Sequence, residues 1–169
     1  RPLGELIVCA TDTAIALVQR GGQVATYDPR TGEVLFAAQV DLPRVYTAAL
    51  VGSSLVLAGQ RDVKRQENTD PDAEPTLLFL DARTGAVQRT LAHPGSAGPP
   101  AGGTPAGGNI RWLKPTDRGD LIVGLESSII ALDPARPSEP AWTIRTPDPG
   151  AAPTAWLVGD RLLLEDEAR

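Results

Sequence analysis

Short apolar runs of 5 to 8 residues alternate with clusters of Gly, Pro, Asp and Asn along most of the chain. Runs of this length that are rich in β-branched residues predict strands, whereas helices need longer periodic runs with caps. Examples are Glu5 to Asp12, Thr13 to Gln19 and Gln23 to Tyr27, and Gly21-Gly22 supplies a hairpin turn between the last two. The pattern therefore predicts an all-β protein without a long helix.

One unit of this pattern occurs three times. Each copy has an apolar strand, an Asp, a tight turn and a second apolar strand. The copies are Gln23 to Val40, Thr76 to His93 and, in degraded form, Ser128 to Thr146. Repetition at a period of about 20 to 50 residues is typical of repeat architectures.

The turn of this unit keeps the same residue types in the first two copies. The predicted turn residues are Asp28, Thr31 and Gly32 in the first copy, Asp81, Thr84 and Gly85 in the second, and Asp133 alone in the third. An Asp carboxylate accepts hydrogen bonds from turn N–H groups, and glycine enters the left-handed region without steric cost. These residues are therefore interpreted as structural.

The spacing of the repeated Asp residues predicts the size of the unit. It is 53 and then 52 residues, and removing the insertion Lys64 to Pro75 and the polar segment Pro94 to Asn109 leaves 41 and 36. Both values are close to the roughly 40 residues of a four-stranded propeller blade. The prediction is about three and a half four-stranded antiparallel blades of a β-propeller, with a compact β-sandwich as the alternative. The predicted units are a blade at 5–40, a blade at 46–93 with an insertion at 61–75, a flexible linker at 94–109, a blade at 110–146 and a half blade at 154–165.

The best copies are YDPRTGEVLF at 27–36 and FLDARTGAVQ at 79–88, followed by IIALDPARPSEPAW at 129–142. This pattern resembles the pyrroloquinoline-quinone-type repeat of the quinoprotein-like β-propeller family. The resemblance implies a propeller fold. Independently of the family, large aromatic residues such as Phe36 and Trp142 can fill the space between neighbouring sheets. It is less specific for function, because such repeats serve dehydrogenases, outer-membrane assembly scaffolds and sensor domains.

A set of three and a half blades leaves two apolar sheet faces uncovered, whereas propellers close with four to eight blades. The expected partners are therefore the remaining blades of the same propeller or further copies of the chain, together with a protein partner. Because the chain contains no Met, sequence upstream of Arg1 is also expected.

Composition narrows the class of partner. Apolar residues make up 41% and charged residues 22%, the net charge is −5 and the pI is about 4.9. An acidic chain without a basic run is not attracted to nucleic acid or anionic lipid. The sequence has no apolar run long enough for a membrane span. The resemblance to the quinoprotein-like family implies an exported protein, so a periplasmic or extracellular location is expected.

Few residues are suited to catalysis or metal binding. Cys9 and His93 are the only residues of their types, so a zinc site or a disulfide within the chain is not expected. A quinoprotein dehydrogenase would be expected to have a calcium-held quinone, a carboxylate base and often adjacent cysteines, and this chain has no adjacent cysteines. No catalytic residue, metal or cofactor is predicted.

The insertion at 61–75 is the main candidate for binding. Its candidate residues are Arg61, Lys64, Arg65, Asp70, Asp72 and Glu74. The acidic residues lack the spacing of a calcium loop, so a solvated loop is the simpler interpretation. The leading hypothesis is a non-catalytic scaffold for protein binding or assembly. The alternatives are a fragment of a quinone-dependent dehydrogenase and an extracytoplasmic sensor domain.

Overall fold

A computed structural model of the chain describes residues 6–61, 74–92, 110–126, 128–136, 140–145, 154–158 and 161–165. The regular elements in these ranges are β-strands. No helix long and apolar enough to cross a membrane occurs within them. The predicted linker at 94–109 lies outside the described residues.

The strands form successive antiparallel meanders, which we call blades 1 to 4. Blade 1 contains β1 (Leu6–Ala10), β2 (Ile15–Gln19), β3 (Gln23–Tyr27) and β4 (Val34–Gln39). Blade 2 contains β5 (Arg44–Val51), β6 (Ser54–Arg61), β7 (Glu74–Asp81) and β8 (Val87–Ala92). Blade 3 contains β9 (Ile110–Pro115), β10 (Leu121–Leu125), β11 (Ser128–Leu132) and β12 (Pro140–Arg145). Blade 4 is the hairpin of β13 (Thr154–Val158) and β14 (Arg161–Glu165).

The blades pack in chain order, with an apolar layer between each pair of neighbours. Val18 and Val24 of blade 1 share a core with Leu55 and Leu57 of blade 2. The opposite face of blade 2 forms a second core with blade 3, and a third cluster joins blade 3 to Leu162 of blade 4. This serial stacking confirms the prediction of an incomplete β-propeller and is not the arrangement of a two-sheet sandwich.

The central strands of blade 2 are buried on both faces. Leu55 and Leu57 point toward blade 1, whereas Val56 and Ala58 point toward blade 3, and all four are 0% exposed. Successive side chains of a strand point to opposite faces, so a strand between two neighbours must be apolar throughout. The run LVLA in β6 therefore marks a blade with a neighbour on each side.

Candidate interaction surfaces

The meander of each blade places its connections at two opposite ends of the stack. One end, which we call the turn end, contains the Asp turns that join the third and fourth strands. At the opposite end, which we call the loop end, β6 and β7 connect through the predicted insertion. The strand ends that flank 93–109 lie at the loop end as well.

In blade 1, the turn is organised by the carboxylate of Asp28. Its Oδ1 accepts hydrogen bonds from the backbone N–H groups of Arg30 at 2.8 Å and Thr31 at 3.3 Å. Gly32 has a φ of +72° and donates its N–H to the Asp28 carbonyl at 2.8 Å. The Asp side chain thus satisfies N–H groups that the turn leaves without strand partners.

Blade 2 repeats this geometry with one additional bond. Asp81 Oδ1 accepts from the N–H groups of Arg83 at 3.0 Å and Thr84 at 2.8 Å, and also from the Thr84 hydroxyl at 2.9 Å. Gly85 again has a φ of +72° and donates to the Asp81 carbonyl at 2.9 Å. The two turns have the same backbone conformation because they have the same Asp and Thr-Gly positions.

The turn of blade 3 retains the Asp without the Thr-Gly. Asp133 Oδ1 accepts the N–H of Ala135 at 2.8 Å, and its Oδ2 accepts from Nε of Arg136 at 3.4 Å. The Arg136 N–H donates to the Asp133 carbonyl at 2.9 Å. An Asx-type bond of this kind stabilises a tight turn on its own.

The hydrogen bonds of these turns lower the pKa of two carboxyl groups. For Asp28 the largest cause is the Arg30 N–H; desolvation opposes it, and the Thr31 N–H and the charges of Arg30 and Arg83 lower the pKa further. For Asp81 the largest cause is the Thr84 N–H, followed by the Thr84 hydroxyl. Arg83 belongs to blade 2 and acts on Asp28 of blade 1, so the two turns are electrostatic neighbours.

The turn of blade 2 is also part of the joint with blade 1. Buried Thr26 donates its hydroxyl to the Ala82 carbonyl at 2.7 Å, and the Ala82 N–H donates to the Ser53 carbonyl at 2.8 Å. A Cβ on Gly85 would lie 2.7 Å from the Phe36 ring, so the glycine also provides room for that ring. Sequence reasoning missed the role of Thr26. The sequence signal for this role is the threonine two residues before the turn Asp, where the other repeats have Phe79 and Ala131.

The two aromatic residues expected between sheets differ in their placement. Phe36 is half-buried and packs on the core between blades 1 and 2. Trp142 is 39% exposed on β12, where it pairs with buried Ala131 on the face of blade 3 that contacts Leu162 of blade 4. Trp112 instead lies over Gly124 and packs on the cluster that includes Leu162.

The structure places two of the six predicted loop residues at the base of the insertion. Arg61 and Glu74 are cross-strand partners that close the β6–β7 ladder. Lys64, Arg65, Asp70 and Asp72 lie outside the described residues.

Blade 1 presents a second candidate surface, which we call the leading face. It consists of Leu6, Val8, Leu17, Ala25 and Tyr27, which point away from blade 2. Together with neighbouring residues, four of these five residues line an open concavity of about 580 Å³. Leu6 is 50% and Val8 58% exposed, so this surface is apolar and only partly covered by the described residues.

Reactive groups are few in the described part of the chain. Burial raises the pKa of the Cys9 thiol to about 11, so Cys9 is protonated and weakly nucleophilic at neutral pH. Among the described residues, no three His, Cys, Asp or Glu side chains form a group suited to a metal ion.

The fold is similar to those of solved propeller structures. BamB from Moraxella catarrhalis has a TM-score of 0.61 and 19% identity, and the match covers 95% of this chain and 44% of that one. The computationally designed Ika4 protein has a TM-score of 0.62 and 10% identity, with 97% and 86% covered. The WD40 domain of Neurospora crassa Pan2 has a TM-score of 0.53 and 16% identity, with 77% and 37% covered.

These comparisons identify the fold of the chain and do not identify its family. No protein-family model and no curated protein sequence matches it. The chain spans less than half of the BamB chain that it matches. At identities below 20%, the likeness concerns backbone architecture rather than ligands or chemistry. By its fold, the chain is a β-propeller segment of three four-stranded blades and a further hairpin within the described residues.

Proposed function

We propose that this chain is a non-catalytic segment of a quinoprotein-like β-propeller that acts as a scaffold for protein binding or assembly. Further blades, from the same protein or from additional copies of the chain, complete the ring. The protein partner binds at the loop end, where the 61–75 segment departs from blade 2.

The observation that carries this proposal is the length of the β6–β7 ladder. Pairing continues without a register shift from Ser54↔Asp81 to Arg61↔Glu74. The two ends of the intervening segment are therefore held beside each other by strands whose central residues are fully buried. Rigid strands that support a surface loop are a common basis for recognition in proteins.

The charge of this segment supports a polar protein partner. Residues 61–75 contain three basic and five acidic side chains and no aromatic residue. Mixed charge of this kind favours orientation and specificity in an interface rather than general attraction to a polyanion. The strand ends that flank 93–109 lie at the same end, which increases the surface available to one partner.

A loop replacement tests the binding role. Residues 62–73 are replaced by Asn-Gly, which suits a two-residue hairpin between paired strands. The tagged native chain is expected to retain a specific protein from an extract of its source organism, and the loop variant to lose it. Arg30→Ala, at the turn end, is the matched control and is expected to retain the protein. Equal retention by the loop variant would refute the proposed binding surface.

A quinone-dependent dehydrogenase is the rival function. Pyrroloquinoline quinone and calcium are added to the native chain, and reduction of a redox dye is followed with alcohol and sugar substrates. If the chain is a scaffold, the dye is expected to be reduced no faster than in a control without protein. Turnover that depends on the chain would replace the scaffold proposal with the dehydrogenase.

A further inference from the structure

The first strands of neighbouring blades lie close together, with β5 beside both β1 and β9. We call this side of the stack the inner edge, and the last strands β4, β8 and β12 lie at the opposite, outer edge. Blades 2 and 3 each pack against a described blade on both faces. The inner edge at β5 and β9 is therefore an internal part of the stack and not one of its two outer faces.

A β-bulge interrupts β5 and β9 at the same place. The pairing of β5 with β6 shifts register at Tyr46, and the pairing of β9 with β10 shifts register at Arg111. Leu57 of β6 and Val123 of β10 are equivalent, because each pairs with the residue three positions before the turn Asp. Both bulges fall between the first and second residues after this equivalent position. They also lie near the loop end of their strands.

These bulges are not a requirement of the blade fold. In blade 1, β1 and β2 pair without a register shift. In blades 2 and 3, a glycine of the partner strand makes room beside the bulge: a Cβ on Gly59 would overlap the Arg44 carbonyl, and a Cβ on Gly124 would overlap the Trp112 ring. A bulge changes the direction of the side chain of its extra residue and is common beside functional sites.

The side chains at the two bulges are exposed hydrogen-bond donors. Tyr46 is 37% exposed, and the side chain of Arg111 is 49% exposed. Nη2 of Arg111 donates to Oε1 of Glu126 at 2.6 Å, the one partner of this guanidinium among the described residues. The bond orients the guanidinium and leaves its remaining N–H groups available to a ligand.

Arg44 adds a second cation to the same corner of the stack. It is exposed two residues before Tyr46 and pairs with Gln60, next to Arg61 at the base of the insertion. The described residues provide no ion-pair or hydrogen-bond partner for its side chain. The inner edge thus carries two guanidinium groups and one phenol close to the surface that the proposed partner contacts.

Side chains of these types suit a carboxylate. Arginine forms charge-assisted and often bidentate hydrogen bonds with carboxylates, and Arg and Tyr are enriched among the residues that dominate binding energy in interfaces. The net charge of the chain is −5, so it has no general attraction for an acidic ligand. Binding of such a ligand would depend on these local groups.

We infer that the inner edge of blades 2 and 3, at the loop end, binds acidic side chains of the protein partner through Arg44, Tyr46 and Arg111. This inference rests on the proposed scaffold function and deepens it, because it names the charge of the partner and three residues that contact it.

Binding of defined peptides tests the inference. A short fluorescein-labelled peptide of alternating Glu and Gly residues is titrated with the purified 169-residue chain, and fluorescence anisotropy reports binding. The same peptide with Gln in place of Glu is the comparison. The native chain is expected to bind the Glu peptide and not the Gln peptide. Absence of binding, or equal binding of the two peptides, would overturn the inference.

Substitutions then locate the site. Arg44→Gln and Arg111→Gln are each expected to weaken binding of the Glu peptide about tenfold or more, because each removes a hydrogen bond to a charged group. Tyr46→Phe removes only the hydroxyl and is expected to weaken binding about threefold. Arg89→Gln is the matched control, since Arg89 is exposed on the outer strand β8 and carries the same charge.

The control is expected to bind as the native chain does, and far-ultraviolet circular dichroism checks that each variant keeps its β-structure. Native affinity in both Arg44→Gln and Arg111→Gln, or equal weakening by Arg89→Gln, would show that the peptide binds elsewhere and would refute the site.

Failure of this inference can be distinguished from failure of the proposed function. The replacement of residues 62–73 by Asn-Gly leaves Arg44, Tyr46 and Arg111 in place, so the loop variant is expected to bind the Glu peptide. Loss of the peptide by the loop variant would assign the acidic ligand to the insertion and overturn the inner-edge site. A native chain that retains its protein partner through the loop but does not bind the peptide would overturn this inference alone.

Discussion

At the scale of single residues, the two Thr-Gly turns share a conformation and differ in their surroundings. Gly32 and Gly85 both have a φ of +72°. A Cβ on Gly32 would meet no atom within 4 Å, whereas a Cβ on Gly85 would meet the Phe36 ring at 2.7 Å. The first glycine is therefore required for its backbone conformation alone, and the second also for packing between blades.

We expect Gly32→Ala to destabilise the protein by about 1 to 2 kcal/mol, the cost of a left-handed conformation for an L-residue. Gly85→Ala should cost about 1 to 3 kcal/mol more, because the added methyl group displaces the Phe36 ring. Urea unfolding of both variants measures the difference. Equal losses would show that Phe36 moves away without cost and that the turn of blade 2 is not a packing element.

The same turns predict how stability depends on pH. Asp28 and Asp81 have pKa values lowered by turn N–H groups, so their folded-state pKa values lie below the unfolded-state value of about 3.9. Such groups stabilise the fold above the unfolded-state pKa. That contribution is lost as the pH falls through the folded-state pKa values.

Asp81→Asn removes one of the two turn carboxyl groups whose pKa is lowered. We expect the variant to be less stable than the native chain near neutral pH and to lose less of its stability on acidification. Urea midpoints measured from about pH 6 to about pH 3 provide the comparison. Asp12→Asn, at an exposed residue of the β1–β2 turn, removes the same charge outside the two Thr-Gly turns and is the control. The same acid-induced loss in native and Asp81→Asn proteins would contradict the linkage.

At the scale of the strands, position within the blade decides how much a side chain contributes. The central strand β6 is fully buried at Leu57, whereas Val87 on the outer strand β8 is 63% exposed. Both residues are aliphatic and lie in blade 2. The sequence alone predicts that both residues lie in strands. The stability lost when either side chain is truncated depends on the neighbouring sheets.

Leu57→Ala is expected to destabilise the chain by about 2 to 5 kcal/mol, because it leaves a cavity between blades 1 and 2. Val87→Ala, the matched control, should change the free energy of unfolding by no more than about 0.5 kcal/mol. Urea unfolding again measures both values. A small loss for Leu57→Ala would indicate that the core between these blades collapses around the cavity.

At the scale of the whole molecule, the described blades form a stack whose joints are apolar. Each internal joint buries apolar side chains from both neighbours, and the joint between blades 1 and 2 adds the Thr26 to Ala82 hydrogen bond. The leading face of blade 1 is also apolar, and its Leu6 and Val8 are exposed within the described residues.

The sequence by itself determined the class of fold and the repeat. Short apolar runs predict the strands. The spacing of the repeated Asp residues predicts the size of the unit, which is set by four strands and their turns. The hydrogen bonding of the Asp turns could also be predicted from the sequence. The carboxylates of Asp28 and Asp81 accept hydrogen bonds from residues two and three positions later, so these turns can be predicted from neighbouring residues in the sequence.

Only the tertiary structure decided which blade faces have neighbours and which side chains cross between blades. Thr26 and Ala82 are 56 positions apart in the chain, and no periodicity pairs them. The partial exposure of Trp142 was likewise not evident from its place in the repeat. Burial depends on what the rest of the chain places against a strand, whereas strand formation depends mainly on residues within and beside it.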